Sequence, residues 1–220
     1  MITAIVFDFD GVLADSEILH LRSYQEVLDP LGVELTRGDY FARYLGFDDH
    51  GVFGAISADR HLGLEPAQIE ALIARKTEVF EALEEEAQML FPGASACVER
   101  LAGVFPLGIA SGAQRHEIES VLDRSGLRHH FAFIVSSGDT PASKPAPDPY
   151  LRAAHLHARP AAECVAIEDS HWGLESARAA GLACIGITHT YPRAELATAD
   201  RIVDSLDEIT PELCQGLRPA

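Results

Sequence analysis

The apolar positions along the chain fall into two regimes. Short runs appear at 3–9 (TAIVFDF), 105–110 (FPLGIA), 132–135 (AFIV), 164–168 (CVAIE) and 183–187 (ACIGI), with a weaker one at 201–203 (RIV). They are β-branched or aromatic, lack strict alternation, and are bounded by Gly, Pro, Ser or Asp. That is the pattern of strands buried on both faces of a parallel sheet. Amphipathic segments at 94–102, 115–125, 147–157, 171–180 and 206–216 lie between or after them and predict helices. Strand and helix in alternation predict a doubly wound, Rossmann-like α/β core.

Residues 16–88 break that rhythm. Leu19, Tyr24, Val27, Leu28 and Leu31 form one helical stripe, and Ile69, Leu72, Ile73, Lys76, Val79, Phe80 and Leu83 form another within 66–86. No convincing strand separates them. The economical reading is an all-helical domain, 16–90, inserted into a core made of 1–15 and 91–220. Its boundaries fall near Asp15 and near Phe91-Pro92-Gly93, where Pro-Gly punctuates the return to the core.

Composition narrows the partners. Thirty-four Asp and Glu oppose 17 Lys and Arg, a formal charge of -17. Nucleic acid and anionic membranes need a basic surface, so neither is expected. A phosphorylated substrate would meet a repulsive field and would need a local cation. The four cysteines (Cys97, Cys164, Cys184, Cys214) show no CxxC and no histidine at metal spacing. A reducing, cytoplasmic setting follows from that usage. The N-terminal run lacks a basic leader and is too short to span a bilayer, so a soluble, non-exported protein is the expectation. At 220 residues, so is a monomer.

Chemistry concentrates at the ends of the predicted strands. Asp8-Phe9-Asp10-Gly11 follows the first run, and in an extended chain Asp8 and Asp10 share a face. Paired acids at a sheet's carboxyl edge suit metal chelation, nucleophilic attack or proton transfer, whereas two solvated loop aspartates would do nothing. Ser111-Gly112 follows the second run; its hydroxyl and amide can bond phosphoryl oxygens, though Ser-Gly is also an ordinary turn. Lys144 lies among prolines in Ser143-Lys144-Pro145-Ala146-Pro147-Asp148-Pro149, a stiff loop that would fix the missing positive charge. Glu168-Asp169-Ser170 ends a further strand with hard oxygen ligands suited to Mg²⁺, while Ser170 or Asp169 can also cap the next helix. Each motif is weak alone. Together, at strand ends that converge in a parallel sheet, they fit one reaction: attack on phosphorus by Asp8, with Asp10 as acid and base.

These motifs, DFDGVLADSE (8–17), SG (111–112), KPAPDPY (144–150) and EDS (168–170), resemble those of the haloacid-dehalogenase-like hydrolase superfamily. Within it the chain looks most like the beta-phosphoglucomutase-like phosphatases and mutases of subfamily I, which carry a helical cap after the first strand. The resemblance implies Asp8 as nucleophile and Asp10 as acid/base. Asp8, the Asp10 backbone carbonyl and Asp169 would bind Mg²⁺ with Glu168 close by, and Ser111, Gly112 and Lys144 would hold phosphate. In similar proteins His20 lies near the hinge, and the stretches containing Phe47 and Lys76 face the substrate. Arg115 is a candidate support for the second motif. Dehalogenases of this fold lack an acid at the place of Asp10, so carbon–halogen cleavage is not expected.

The remaining choice is phosphatase or mutase. A mutase needs cap cations for a second phosphate, and Arg43, Arg75 and Lys76 are the candidates. Known mutases of this branch usually carry an arginine in the loop where this chain has Phe47-Asp48-Asp49, and acid there repels a second phosphate. The expectation is therefore a Mg²⁺-dependent phosphatase acting on a small phosphorylated metabolite, a sugar phosphate, through an aspartyl-phosphate intermediate. The alternative is a beta-phosphoglucomutase-type enzyme. A non-catalytic phospho-accepting module is more distant, because a receiver lacks the acid two residues after its nucleophile.

Overall fold

The computed structural model describes residues 1–45, 47, 49–86 and 89–217, without the side chains of 84–86. Six strands form one parallel sheet: β1 (Ala4–Phe7), β2 (Leu107–Ala110), β3 (Phe131–Val135), β4 (Cys164–Glu168), β5 (Ala183–Ile187) and β6 (Arg201–Val203). Their order is β3-β2-β1-β4-β5-β6. Every residue of β1, β2, β4 and β5 is buried, which explains why their sequences run apolar without alternation. The edge strands β3 and β6 are the exceptions, with Ala132 and Arg201 exposed.

The strand order reverses at β1, which pairs with β2 on one side and β4 on the other. A crevice opens at such a reversal, outside the carboxyl ends of the strands. Register puts the residues after those ends at nearly one level. Phe7 pairs with Ile109 and with Ile167, the Asp8 amide donates to the Ile167 carbonyl (2.9 Å), and the Ser111 amide donates to Val135 (2.9 Å). Helices α5 (Ala94–Ala102), α6 (Arg115–Arg124), α7 (Asp148–Leu156) and α8 (His171–Ala179) connect the strands. Tyr150, Ala153, Leu174 and Ala177 pack in one buried cluster with Val6, Ala166 and Cys184.

By contact density the chain divides into two compact units, one made of Met1–Asp15 with Leu90–Ala220 and the other of Ser16–Met89. The second is helical: α1 (Ser16–Leu28), α2 (Arg37–Arg43), α3 (Asp49–Asp59) and α4 (Pro66–Glu86). Its core holds Tyr24, Leu28, Tyr40, Tyr44, Phe53 and Ile56, and the α4 stripe contributes Val79.

Two expectations differ from the structure. The extended run over 3–9 stops at Phe7, because the Phe9 carbonyl accepts from the amides of Leu13 (2.9 Å) and Ala14 (3.0 Å) and so closes a turn. The helix expected over 206–216 is split into a 3-10 turn, Leu206–Glu208, and a final helix α9, Pro211–Gly216. Proline at the first helical position holds the preceding Thr210 extended, and the Thr210 side chain caps the new helix.

Gly108 on β2 tests the packing between strands. A Cβ there would lie 2.3 Å from the Phe133 ring, whereas one on Gly54 in α3 meets nothing within 4 Å. We expect Gly108→Ala to cost about 1–3 kcal/mol in urea unfolding, and Gly54→Ala to be neutral or stabilising by up to about 1 kcal/mol. Equal effects would contradict this packing.

Candidate active site

Three carboxylates converge at the reversal of strand order. Asp8 follows β1, Glu168 closes β4 and Asp169 follows it; each is buried, and one oxygen from each lies within 4.8 Å of the others. Lys144 reaches them from the proline-rich loop before α7. Its Nζ donates to Asp8 Oδ1 (2.8 Å) and to Glu168 Oε1 (2.6 Å). The Tyr150 hydroxyl donates to the same Glu168 oxygen (2.7 Å), and the Asp169 amide and Ser170 hydroxyl reach Glu168 Oε2, each at 3.2 Å. Glu168 is thus committed on both oxygens. It anchors Lys144.

The electrostatics follow from this crowding. Burial pushes the Asp8 carboxyl up to about 7; Lys144 pulls it down, but the Glu168 and Asp10 charges add to the rise. Burial likewise raises Asp169 well above the usual carboxylate range, reinforced by Glu168 and Asp8. For Lys144, burial opposes the charged form, yet Asp8 and Glu168 outweigh it and raise its pKa, so the ammonium persists. Burial also raises Tyr150, which stays protonated and able to donate.

One ammonium serves three buried acids, so with all three ionised the cluster would carry an excess of negative charge. A hard divalent cation is the group that such an oxygen set fits, and Asp8 and Asp169 are its available carboxylates. The backbone makes room for this density. Gly11 has φ +74°, and a Cβ on it would fall 1.9 Å from Asp169 Oδ2. A Cβ on Gly173, in the first turn of α8, would fall 1.9 Å from the Glu168 carboxylate.

Beside Lys144 lies a cavity of about 350 Å³ lined by Ser111, Gly112, Ser136, Ser137, Gly138, Thr140, Ser143 and Pro149 as well as the lysine. Its walls are hydroxyl-rich and uncharged apart from Lys144, which suits an anion. Arg115 is not in this lining. It is half exposed and holds the loop after β3, donating to Asp139 (2.7 Å) and to the Ile134 carbonyl (2.9 Å). Asp139 in turn accepts from the Ser136 amide and hydroxyl (2.8 and 2.9 Å).

The helical unit has its own polar cluster. Lys76 is buried on α4 and donates to His20 Nδ1 (2.9 Å) and Asp49 Oδ1 (2.9 Å), and Tyr24 also donates to Asp49 (2.5 Å). Burial, then the Lys76 charge, lowers His20 to about 4, so the ring is a neutral acceptor at Nδ1 and stacks on Phe80. Burial would raise Asp49, but the bonds from Tyr24 and Lys76 prevail and lower it. Asp49 therefore enters as half of an ion pair rather than as a bare repulsive charge, which revises the electrostatic reading of its loop. Phe47 is exposed, and Asp48 lies outside the described residues. Sequence reasoning assigned no role to Tyr150, Asp139, His189 or Thr190. Tyr150 stood inside a quoted motif, but only packing puts its hydroxyl on Glu168. Thr190 hydrogen-bonds Asp169 from a loop with no motif at all.

Comparison with known proteins gives the family. The family described as haloacid dehalogenase-like hydrolase matches residues 5–187. Protein CbbY of Cereibacter sphaeroides is 36% identical over 220 residues, covering 95% of this chain and 94% of its own. Hexitol phosphatase B of Escherichia coli K12 is 33% identical over 219 residues, with 95% of each covered. Suppressor of Quenching 1 of Arabidopsis thaliana is 33% identical over 203 residues, but the match spans 90% of this chain and only 19% of that much longer protein. Among solved structures, CbbY from Rhodobacter sphaeroides in complex with xylulose-(1,5)bisphosphate superposes with a TM-score of 0.73 at 31% identity, covering 94% of this chain and 96% of that one.

The raised Asp8 pKa has a measurable consequence. Below about pH 7 a cation binding at Asp8 must displace a proton. Apparent Mg²⁺ affinity should then rise by up to about tenfold per pH unit for each proton displaced, from pH 5.5 to 7. Calorimetric titrations across that range, in buffers of differing ionisation enthalpy, measure both affinity and proton release. A flat profile would contradict the assignment.

Proposed function

We propose that this chain, which belongs to the haloacid dehalogenase-like hydrolase family, is a Mg²⁺-dependent phosphatase of sugar or polyol monophosphates that works through an aspartyl-phosphate. The observation that carries the reading is the shared lysine: Lys144 bonds both Asp8 and Glu168 beside a hydroxyl-lined cavity. Its partner Glu168 holds the ammonium that lines the cavity, while Asp8 keeps a second oxygen for chemistry.

In the first half-reaction an Asp8 oxygen attacks phosphorus, the bond from phosphorus to the sugar oxygen breaks, and Asp10 gives that oxygen its proton. In the second, Asp10 takes a proton from water, the water oxygen bonds phosphorus, and the bond to Asp8 breaks. Lys144, with the Ser111 hydroxyl and the Gly112 amide, stabilises charge on the phosphoryl oxygens. Asp8, Asp169 and the Asp10 carbonyl are the groups that would hold Mg²⁺, which would supply the further positive charge that phosphoryl transfer requires.

By the resemblance to mutases, a second phosphate would need cations from the helical unit. Its three candidate cations for a second phosphate are all engaged by acids: Arg43 by Asp59, Arg75 by Glu78 (2.8 Å) and Lys76 by Asp49 (2.9 Å). Hexitol phosphatase B, by its name, acts on hexitol phosphates, which supports a polyol phosphate substrate. The four buried free cysteines fit a cytoplasmic setting, and no described helix is long and apolar enough to cross a membrane.

A panel of hexose, hexitol and pentose phosphates, with a bisphosphate and β-glucose 1-phosphate included, tests the reading. We expect Mg²⁺-dependent release of inorganic phosphate, reduced about a thousandfold or more in Asp8→Asn. Formation of glucose 6-phosphate without free phosphate would instead make the chain a mutase.

A further inference from the structure

From the chain's own contacts we infer that His189 is a positioning residue for the acid/base Asp10, acting through the carbonyl of Gly11; the inference rests on the phosphatase reading above. Asp10 stands in the turn that follows β1. Inside that turn the Phe9 carbonyl accepts from Leu13 and Ala14, and the Gly11 amide donates to Ala14 (2.8 Å). The Gly11 carbonyl is held from outside, by Nδ1 of His189 at 3.0 Å, a residue 178 positions later in the loop after β5. A carbonyl only accepts, so Nδ1 carries the proton and the ring is committed to that tautomer. Burial lowers the pKa of His189, which keeps the ring neutral despite the opposing pull of Gly11 and Asp15.

Two features make this bond matter more than an ordinary loop contact. Glycine at φ +74° is the most permissive residue the turn could contain, so its geometry depends on what is bonded to it. Gly11 also sits between two functional groups: Asp10 precedes it in the chain, and Asp169 packs against its Cα where no side chain would fit. The Gly11 carbonyl lies in the peptide to Val12, so His189 braces the turn on the side of Gly11 away from Asp10, and releasing it lets the turn that carries Asp10 relax through the Gly11 dihedrals. His189 is itself fixed, with its ring stacked on Phe91 at 3.9 Å and 26°. The Phe91 amide donates to Leu13 of the same turn (2.9 Å), so the histidine, the turn and the returning chain form one closed set of contacts.

The test uses leaving groups. A sugar alkoxide leaves only with a proton from Asp10, whereas p-nitrophenolate is a stabilised anion that leaves without one. Because kcat/KM reports steps up to loss of the leaving group, the ratio of kcat/KM for a sugar phosphate to that for p-nitrophenyl phosphate isolates the acid step. The fraction of folded enzyme cancels from that ratio. His189→Phe keeps the ring on Phe91 and removes the donor, and His189→Asn puts an amide N–H near the place of Nδ1. We expect His189→Phe to lower the ratio about five- to tenfold, the worth of one hydrogen bond, and His189→Asn to restore most of it. An equal loss on both substrates, no loss on either, or no recovery in His189→Asn would overturn the role of His189. If the wild type released phosphate from neither substrate, the phosphatase reading would fall, and the role of His189 with it.

Discussion

The bond pair from Lys144 to Asp8 and Glu168 is the constraint on which the rest of the site depends. Three carboxylates buried within one small volume repel one another, and each loses hydration on leaving water. One ammonium in reach of two of them offsets much of that penalty, and only if it is held in place. The structure holds it by two means. The proline-rich segment before α7 limits the loop, and Glu168, itself bonded by Tyr150 and Ser170, gives the lysine a rigid partner. Glu168 therefore stands one step behind the chemistry, while Asp8 and Asp169 keep oxygen to offer.

Such density leaves no space for ordinary backbone. Gly11 and Gly173 lie where a methyl group would overlap the Asp169 and Glu168 carboxylates. The turn after β1 needs glycine twice over, for the positive φ and for the approach of Asp169. That permissiveness has a cost, since a glycine turn does not hold its own shape. A bond to the Ala14 carbonyl and one from His189 supply what the residue lacks.

The helical unit solves a related problem with different parts. Lys76 lies in an otherwise apolar stripe, buried against Tyr24 and Phe80, and its charge is satisfied by Asp49, by the lone pair of His20 and by the faces of those two rings. Removing one member would leave a buried charge without its partner, which is costlier than never having buried the set. Asp49 is the clearest instance of a residue whose meaning changes with its neighbours. As a letter beside Asp48 it is a repulsive charge, and as a side chain it is the counter-ion of Lys76.

What the sequence determined by itself was the class of fold and the identity of the central acids. Unbroken apolar runs at strand length, separated by amphipathic segments, have few solutions other than a buried parallel sheet, because strands covered on both faces tolerate no polar alternation. Asp8, Ser111, Lys144 and Glu168-Asp169 were legible for the same reason: each follows or closes such a run, and parallel strands bring their ends to one edge. Tertiary structure alone decided what each group does there. It turned the chain at Phe9 where extended backbone was expected, split the last helix at Pro211, assigned Glu168 to Lys144, moved Arg115 to the support of the Asp139 loop, and paired Asp49 with Lys76. It also brought in His189 and Thr190, which no local motif marks, and gave Tyr150, the last residue of KPAPDPY, its bond to Glu168. Periodicity records only which side of an element is dry. A hydrogen bond between residues 178 positions apart depends on the path of the whole chain, and on angles that no local pattern encodes.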